Sequence, residues 1–432
     1  MTATTPSSRF CLLVPLAAAA LAASQLGRAG EQPWPEQKIV ASDGAPGNNF
    51  GYSLAIFGDT AAVSSYQAVI DGQFAQGAVY VYDATGGIWS ETQKLIASDG
   101  TAFAQFGEAV ALDGETLLVS ANGMDGFAGA VYVFTRTDAG WTETQKLTSS
   151  DAAGLDNFGW SVAISGTTAL IGAPYADIDG ASDQGAAYVF TNIEGTWTET
   201  GKLVASDGTT MDNFGRAVAI EGATLLVGSV NASVDDHVGQ GAAYVFELSG
   251  GVWSESQKLV ASDGVEFDNF GQAVALSGTT ALIGSPLAEK AYVFERDSTG
   301  WNEAATLAAS DGPDASRYFG YALDLDGNRA VVGAFDADVD GNTFQGAAYV
   351  FDATDGGWTE TQKLVASDGA AYENFGIAVG VSGRNVLAGA YYASVDGRPA
   401  QGAAYVYADP SSGGDTIFND GFDGAAADPR NP

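Results

Sequence analysis

Three carboxylates in one loop are the residues whose types and spacing most resemble a metal site. Asp336, Asp338 and Asp340 occupy alternate positions and are followed by Gly341. Alternating acidic residues before a glycine are typical of calcium loops, in which side-chain oxygens converge on one ion. The loop therefore predicts a calcium site at these three residues, and Ca²⁺ is the one cofactor that the sequence suggests.

The same loop can also be interpreted as a turn without metal. Ala347 stands where an EF-hand has its bidentate glutamate. The equivalent loops of the chain keep mainly the last acid, at Asp71, Asp125, Asp179, Asp235 and Asp396. An acid that recurs without its companions favours a turn-forming role. The sequence leaves both interpretations open.

Catalytic groups are hard to assemble from this chain. His237, beside Asp235 and Asp236, is the one histidine, and no local motif supplies a nucleophile with an oxyanion hole. Cys11 is the one cysteine and lies near the amino terminus, so thiol chemistry is not expected elsewhere. We predict that the protein is not an enzyme. A hydrolase that uses paired acidic loop residues is the weakest alternative.

The acidic loops that contain Asp340 and its equivalents belong to a sevenfold internal repeat marked by a Phe-Gly pair. The pair recurs at Phe50, Phe106, Phe158, Phe214, Phe270, Phe319 and Phe375, with gaps of 56, 52, 56, 56, 49 and 56 residues. This period suits one four-stranded propeller blade per repeat. We predict an all-β fold, a seven-bladed β-propeller of four-stranded blades over residues 31–407. Its repeats begin near residues 37, 93, 145, 201, 257, 305 and 362.

A second recurring acid precedes the first strand of each repeat, in a Ser-Asp motif that usually continues with Gly. The aspartates are Asp43, Asp99, Asp151, Asp207, Asp263, Asp311 and Asp368. Such a run is a strong turn signal. We expect each carboxylate to accept backbone hydrogen bonds within its own loop.

The amino-acid sequence of the repeat resembles the FG-GAP repeats of integrin alpha-chain propellers and of secreted bacterial proteins. In the third repeat the three blocks are Phe158-Gly159, Gly172-Ala173-Pro174 and the segment 185–190, and similar blocks recur from about residue 37 to 407. The resemblance implies a seven-bladed propeller and usually adhesion or ligand binding. In integrin propellers the calcium loop lies between the first two blocks. Here that connection is a short turn, so that metal site is not expected.

The two ends of the repeat region predict how the ring closes. The last repeat stops after its third strand at Tyr407, whereas residues 34–40 resemble a fourth strand without a blade before it. Pairing residues 34–40 with residues 403–407 would complete the seventh blade and remove two exposed sheet edges.

Long loops after the second strands form the candidate binding face. In a propeller blade these loops emerge on the same side as the linkers between blades, and long loops on a rigid scaffold often carry binding residues. Five aromatic residues on these loops are the candidate ligand-binding anchors: Tyr66, Tyr175, Phe335, Tyr391 and Tyr392. The alternative is that each aromatic side chain packs against its own loop.

The net charge of the protein limits the classes of partner it can bind, and its terminal segments indicate where it is located. A net charge of −36 argues against nucleic acid and anionic lipid as partners. Residues 1–30 are interpreted as a signal peptide, cleaved near residue 23, with a short following segment. No membrane span is expected, because the apolar run 10–23 is shorter than the roughly 20 residues that a span needs. Residues 408–432 are expected to be a flexible acidic tail.

The sequence therefore predicts a secreted, periplasmic or cell-surface propeller that binds a protein or glycan ligand through its long-loop face. A monomer is expected. The alternative is a structural envelope or matrix protein without a specific ligand. The sequence does not identify the ligand.

Overall fold

Seven four-stranded antiparallel sheets form the blades of one ring in the computed structural model, which describes residues 34–412. The predicted all-β seven-bladed propeller is confirmed. The predicted signal peptide and the tail beyond residue 412 lie outside the described residues. The last strand reaches Ala408, and Asp409 forms an ion pair with Arg329. The folded region therefore extends past the predicted boundary at residue 407.

Strand β1 (Glu36–Ile39) comes first in the chain and belongs to the last blade. Blade 1 contains β2 (Leu54–Phe57), β3 (Thr60–Ser65), β4 (Ala78–Thr85) and β5 (Ile88–Leu95). Blade 2 contains β6 (Val110–Asp113), β7 (Thr116–Ala121), β8 (Ala130–Thr137) and β9 (Gly140–Leu147). Blade 3 contains β10 (Ser161–Ser165), β11 (Thr168–Ala173), β12 (Ala186–Ile193) and β13 (Thr196–Leu203). Blade 4 contains β14 (Phe214–Glu221), β15 (Thr224–Ser229), β16 (Ala242–Ser249) and β17 (Val252–Leu259).

The remaining blades repeat this order. Blade 5 contains β18 (Val274–Ser277), β19 (Thr280–Ser285), β20 (Lys290–Asp297) and β21 (Gly300–Leu307). Blade 6 contains β22 (Ala322–Asp326), β23 (Arg329–Ala334), β24 (Ala347–Thr354) and β25 (Gly357–Leu364). Blade 7 contains β26 (Phe375–Ser382), β27 (Asn385–Ala390) and β28 (Ala403–Ala408), followed in space by β1. Helix among the described residues is limited to the short turns α1 (Met124–Phe127), Pro313–Ala315 and Pro410–Ser412.

The first strand of each blade is innermost and contacts the first strands of both neighbouring blades, with β26 contacting β2. The hydrophobic core lies between blades. For example, Leu118 and Val131 of blade 2 pack in one cluster with Phe158, Ile171 and Tyr188 of blade 3. Each blade therefore buries its apolar faces only against its neighbours, so the ring must close for all of them to be covered.

Closure occurs as predicted, through antiparallel pairing of β1 with β28. The register runs from Glu36 opposite Tyr407 to Ile39 opposite Ala404, and Ile39 is buried. Gln37 also exchanges two hydrogen bonds with the backbone of Trp89, at 2.7 and 2.9 Å, and so ties β1 to blade 1. Strand β1 therefore both completes blade 7 and joins it to blade 1.

The recurring Ser-Asp motif connects each linker to the blade that follows it. Asp43 accepts hydrogen bonds from the Tyr80 hydroxyl and the Lys94 ammonium, both at 2.6 Å. The expected backbone hydrogen bond within the loop is present, since Asp43 also accepts one from its own N–H, but its side-chain partners lie on the third and fourth strands of the next blade. Burial alone would raise the pKa of Asp43, but the bonds from Lys94 and Tyr80 outweigh it and lower the pKa.

In blade 5 the ion pair between a lysine and the linker aspartate is made by a lysine from a different strand. Thr306 stands where other blades have the fourth-strand lysine. Lys290, at the start of β20, supplies the ammonium to Asp263 instead, at 2.5 Å. The short loop before β20 brings Lys290 to this place, so the shortened loop and the missing lysine compensate each other.

In five blades a buried glutamine before the third strand explains why the Ser-Asp motif of the following linker continues with glycine. A Cβ atom at Gly264 would overlap the side-chain amide of Gln240, which is buried. In the one Ser-Asp motif that lacks glycine, Ala152 follows Asp151, and Ala128 stands where the matching glutamine would be. The two small changes therefore occur together because they share one space.

We predict that closure by β1 stabilises the whole ring. A chain that starts at Ala41 loses the pairing with β28 and the buried Ile39. Four ladder hydrogen bonds at about 1 kcal/mol each and one buried isoleucine at about 2 kcal/mol suggest a loss of about 6 kcal/mol in the free energy of unfolding. Urea unfolding measures this loss. A chain that starts at Trp34 is the control, and equal stability of the two chains would refute closure by β1.

Candidate functional site

The residue that follows each Phe-Gly pair lies at the start of the innermost strand, on the long-loop side of the ring axis. We call these seven residues the axial mouth: Tyr52, Glu108, Trp160, Arg216, Gln272, Tyr321 and Ile377. The Phe-Gly pair sets their position. Phe50 is fully buried, packs edge-on against Tyr80, and donates its N–H to the Gln401 carbonyl of the preceding blade at 2.9 Å.

Contacts between blades show that these side chains converge. The Tyr52 hydroxyl donates to Glu108 Oε1 at 3.1 Å. Arg216 Nε donates to Gln272 Oε1 at 3.3 Å, and its guanidinium lies 4.6 Å from the Trp160 ring centroid. Side chains from blades 1 to 5 therefore form two groups in contact, Tyr52 with Glu108 and Arg216 with Trp160 and Gln272, which the charge interaction between Glu108 and Arg216 links.

Glu108 is the unusual group of this cluster. Its Oε2 is buried and has no hydrogen-bond partner among the described residues. Burial raises the pKa of Glu108 to about 7, although the hydrogen bond from Tyr52 and the charge of Arg216 oppose the shift. A buried carboxyl oxygen without a partner costs stability, and a donor or cation brought by a ligand would remove that cost.

Two of the predicted anchors pack against Tyr52, and a third packs against one of these two. Tyr66 lies 4.2 Å and Tyr391 lies 5.7 Å from Tyr52 between ring centroids, and Tyr391 lies 3.9 Å from Tyr392. Burial, and then the charge of Glu108, raise the pKa of Tyr66 to about 12. These tyrosines come from blades 1 and 7, so they do not pack only within their own loops.

The other two anchors contact different members of the axial mouth. Phe335 lies 4.7 Å from Tyr321 between ring centroids, and Tyr175 lies 5.5 Å from Trp160. All five predicted anchors therefore border the axial mouth, directly or through one neighbour. Whether they bind a ligand stays a prediction.

Sequence reasoning did not identify the axial mouth itself. Its signal was present: the position after an invariant Phe-Gly pair carries Tyr, Glu, Trp, Arg, Gln, Tyr and Ile in the seven repeats. Inner-strand positions nearby are mostly Ala, Val, Leu or Ile. A position that varies in charge beside one that does not vary indicates a role outside the repeat architecture.

The predicted calcium loop keeps its carboxylates on separate partners. Asp338 accepts the Phe344 N–H at 3.0 Å, and Asp336 accepts a hydrogen bond from Asn374 at 2.9 Å. Asp340 has a positive φ of 50°, within a turn that Val339 closes with Asn342. Across residues 34–412 no group of three or more His, Cys, Asp or Glu side chains is close enough to hold a metal. These contacts favour a turn, and calcium binding stays a prediction.

His237 also has a local structural contact. Its Nδ1 lies 3.0 Å from Gln240 Oε1, and its backbone forms a two-bond turn with Val234. The imidazole therefore helps to orient the buried glutamine that packs on the linker glycine.

The opposite end of the axis opens as an acidic cavity of about 470 Å³. Its lining includes Asp113, Glu221, Asp324 and Asp326, together with apolar residues of the innermost strands, and no Lys or Arg. Burial raises the pKa of Asp324 to about 6 against backbone hydrogen bonds from Val381 and Leu325. Unlike Glu108, Asp324 has partners for both carboxyl oxygens.

Comparison with protein-family models gives one family. A model described as FG-GAP repeat matches residues 34–82, 89–134, 141–190, 197–246, 253–294, 301–351 and 358–407. The matches cover well over half of the chain, and each spans the fourth strand of one blade and the first three strands of the next. Seven matches for seven blades confirm the resemblance of the repeat sequence to this family. No curated protein matches the chain. No helix within residues 34–412 is long and apolar enough to cross a membrane.

We predict that Glu108 makes stability depend on pH. Its pKa in the folded protein, about 7, lies above the ordinary value of 4.5, so the folded state retains a proton that the unfolded state loses. Stability should therefore fall as pH rises from about 4.5 to 7, by up to about 3 kcal/mol. Urea unfolding of the wild type and of Glu108→Gln at pH 5 and 8 measures the difference. An identical pH dependence of the two proteins would contradict the prediction.

Proposed function

Because the chain belongs to the FG-GAP repeat family, whose propellers are typical of integrin-like recognition proteins, we propose that it is a recognition protein. It acts outside the cytoplasm, as a secreted or surface-associated propeller, and it binds a protein or glycan ligand through its long-loop face. The family is generally non-catalytic, and no enzymatic role is proposed.

The buried, unpartnered Glu108 oxygen in the axial mouth is the observation that carries this proposal. Tyr52 donates to the other oxygen, and Tyr66 and Tyr391 pack around the Tyr52 ring. A carboxylate among aromatic rings is the chemistry that attracts a guanidinium or ammonium group. A bound cation would pair with Glu108 and would also contact the ring faces.

This chemistry favours a protein ligand over a neutral glycan. Sugars would stack on Tyr391 and Tyr392, whose rings lie 3.9 Å apart, but they bring no charge to Glu108. A partner protein can insert a lysine or arginine side chain into the mouth. The net charge of −36 would also speed the approach of a basic partner.

We predict that short peptides with one central arginine bind the axial mouth, whereas matched citrulline peptides bind roughly tenfold more weakly or not at all. Calorimetric titration measures both. Glu108→Gln should remove the preference for arginine, and Tyr391→Ala should weaken binding while leaving the thermal melt nearly unchanged.

Glu221→Gln is the matched control, because Glu221 is an acid at the other end of the axis. Equal affinity for arginine and citrulline peptides would refute cation recognition. The structural alternative, a protein without a specific ligand, predicts no saturable binding of either peptide or of oligosaccharides.

We also propose a calcium ion at Asp336, Asp338 and Asp340, as a bound state in which these carboxylates leave their present partners. Added calcium should then raise the melting temperature relative to chelator. Asp338→Asn should abolish that rise, because it keeps an acceptor for the Phe344 N–H but removes the charge. Asp177→Asn, at the equivalent place in blade 3, is the control. A melt that does not respond to calcium would assign these acids to the turn alone.

A further inference from the structure

We propose that the long-loop face carries a second contact surface, formed by exposed apolar residues at the blade junctions, which docks a basic amphipathic segment of a partner protein. This surface is called the junction ring and contains Phe103, Leu155, Met211, Phe267 and Tyr372. The inference rests on the proposed function, because it defines the class of partner that the same face would recognise.

Each member of the junction ring lies in the linker that enters a new blade, and its backbone is fixed by the loop of the preceding blade. The Phe103 N–H donates to the Phe74 carbonyl at 2.8 Å, and the Phe267 N–H donates to the Val238 carbonyl at 3.0 Å. The other three make equivalent bonds to Gly126, Ser182 and Thr343. The ring therefore repeats at five of the seven junctions on a rigid support.

These side chains contribute little to the core. Their exposed fractions lie between 58 and 66%. Apolar neighbours extend three of the sites, since Phe74, Phe127 and Val238 are exposed beside Phe103, Leu155 and Phe267. At two junctions the aromatic rings touch, with centroids 5.5 Å apart for Phe74 and Phe103 and 5.6 Å apart for Phe344 and Tyr372. Recurring exposed apolar pairs on one face are typical of an interaction surface.

The backbone at these positions makes large residues unfavourable. The φ angles of the five members range from 63° to 77°, in the left-handed region that bulky residues rarely adopt. Gly47 occupies the equivalent place at the junction of blades 7 and 1, with φ of 76°. Glycine would therefore suit all of these positions. Large apolar residues are retained at five of them against both backbone strain and exposure to water, which indicates a role beyond folding.

The negative charge of the long-loop face indicates which kind of partner segment would bind there. The loops around the ring carry exposed acids, among them Asp71, Asp125, Asp235, Glu266 and Asp340. The second-to-third-strand loops and the linkers themselves contain Lys or Arg only at Arg317 and Arg398. The strands beside them add Arg216 at the axial mouth and lysines that are paired with the linker aspartates. Arg398 donates to the Gly44 carbonyl, and Arg317 lies over the Phe344 ring. A second copy of this chain would bring like charge to like charge, whereas a segment with apolar residues flanked by Lys or Arg complements the face.

The test uses two labelled synthetic helices, one with leucine on one face and lysine on the other, and one with glutamate in place of lysine. Fluorescence anisotropy at low salt should show saturable binding of the leucine-lysine helix and at least roughly tenfold weaker binding of the leucine-glutamate helix. In the variant Phe103→Gly/Phe267→Gly/Tyr372→Gly the first helix should bind at least about tenfold more weakly. Its melting temperature should stay equal or rise, because glycine suits the backbone there.

Ile88→Ser/Val252→Ser is the control, since both side chains are exposed apolar residues on the opposite face. It should leave binding of the leucine-lysine helix unchanged. Unchanged binding by the glycine variant would overturn the junction ring, and equal binding of the two helices would overturn the basic partner. Self-association of the wild type that the glycine variant abolishes would assign the surface to a second copy and overturn the proposed occupant.

The outcomes separate this inference from the proposed function. If the arginine peptides bind and the leucine-lysine helix does not, the junction ring fails and the axial mouth stands. If the helix binds through the junction ring and the arginine peptides do not bind, the axial site fails. If neither probe binds, both proposals fail.

Discussion

The buried phenylalanine of each Phe-Gly pair is the contact on which both the ring and the axial mouth depend. Phe50 packs against Tyr80 and Tyr82 of its own blade, while its N–H is bound by Gln401 of the preceding blade. One residue thus fixes the packing within a blade and the spacing between two blades. Since the following glycine leads directly into the innermost strand, the same contact fixes the side chain after it at the axis. The ring architecture and the proposed recognition surface therefore depend on the same contact.

The fold was accessible from sequence because its determinants are local and repeated. The Phe-Gly spacing gave the number of blades, and the unmatched end segments gave the pairing of β1 with β28. The contacts that the repeated residues make were harder to predict from the sequence. Asp43 accepts hydrogen bonds from Tyr80 and Lys94, which lie 37 and 51 residues further along the chain. Both reach Asp43 because the third and fourth strands lie beside the linker. No local pattern encodes that approach.

Sequence reasoning identified aromatic residues that border the axial mouth but not the residues of the mouth itself. Aromatic loop residues such as Tyr66 and Tyr391 stand out in the sequence because they interrupt polar loops. Tyr52 and Glu108 differ from the same position in other repeats, but the sequence does not show that they meet, which happens because blades 1 and 2 are adjacent in the ring. The contact of Tyr391 with Tyr52 requires closure between blades 7 and 1. A site assembled from one residue per repeat appears only after the repeats are arranged around an axis.

Departures from the repeat separate residues with a structural role from those of the proposed binding site. In blade 5, Lys290 compensates for Thr306, so the ion pair to the linker aspartate is kept. Asp324 is a buried acid on an innermost strand, but backbone N–H groups of Val381 and Leu325 satisfy its oxygens. Glu108 is also a buried acid, and nothing among the described residues satisfies its Oε2. A purely structural ring has no use for that uncompensated oxygen, whereas a ring that receives a cation at its long-loop mouth needs it unpaired until the ligand arrives.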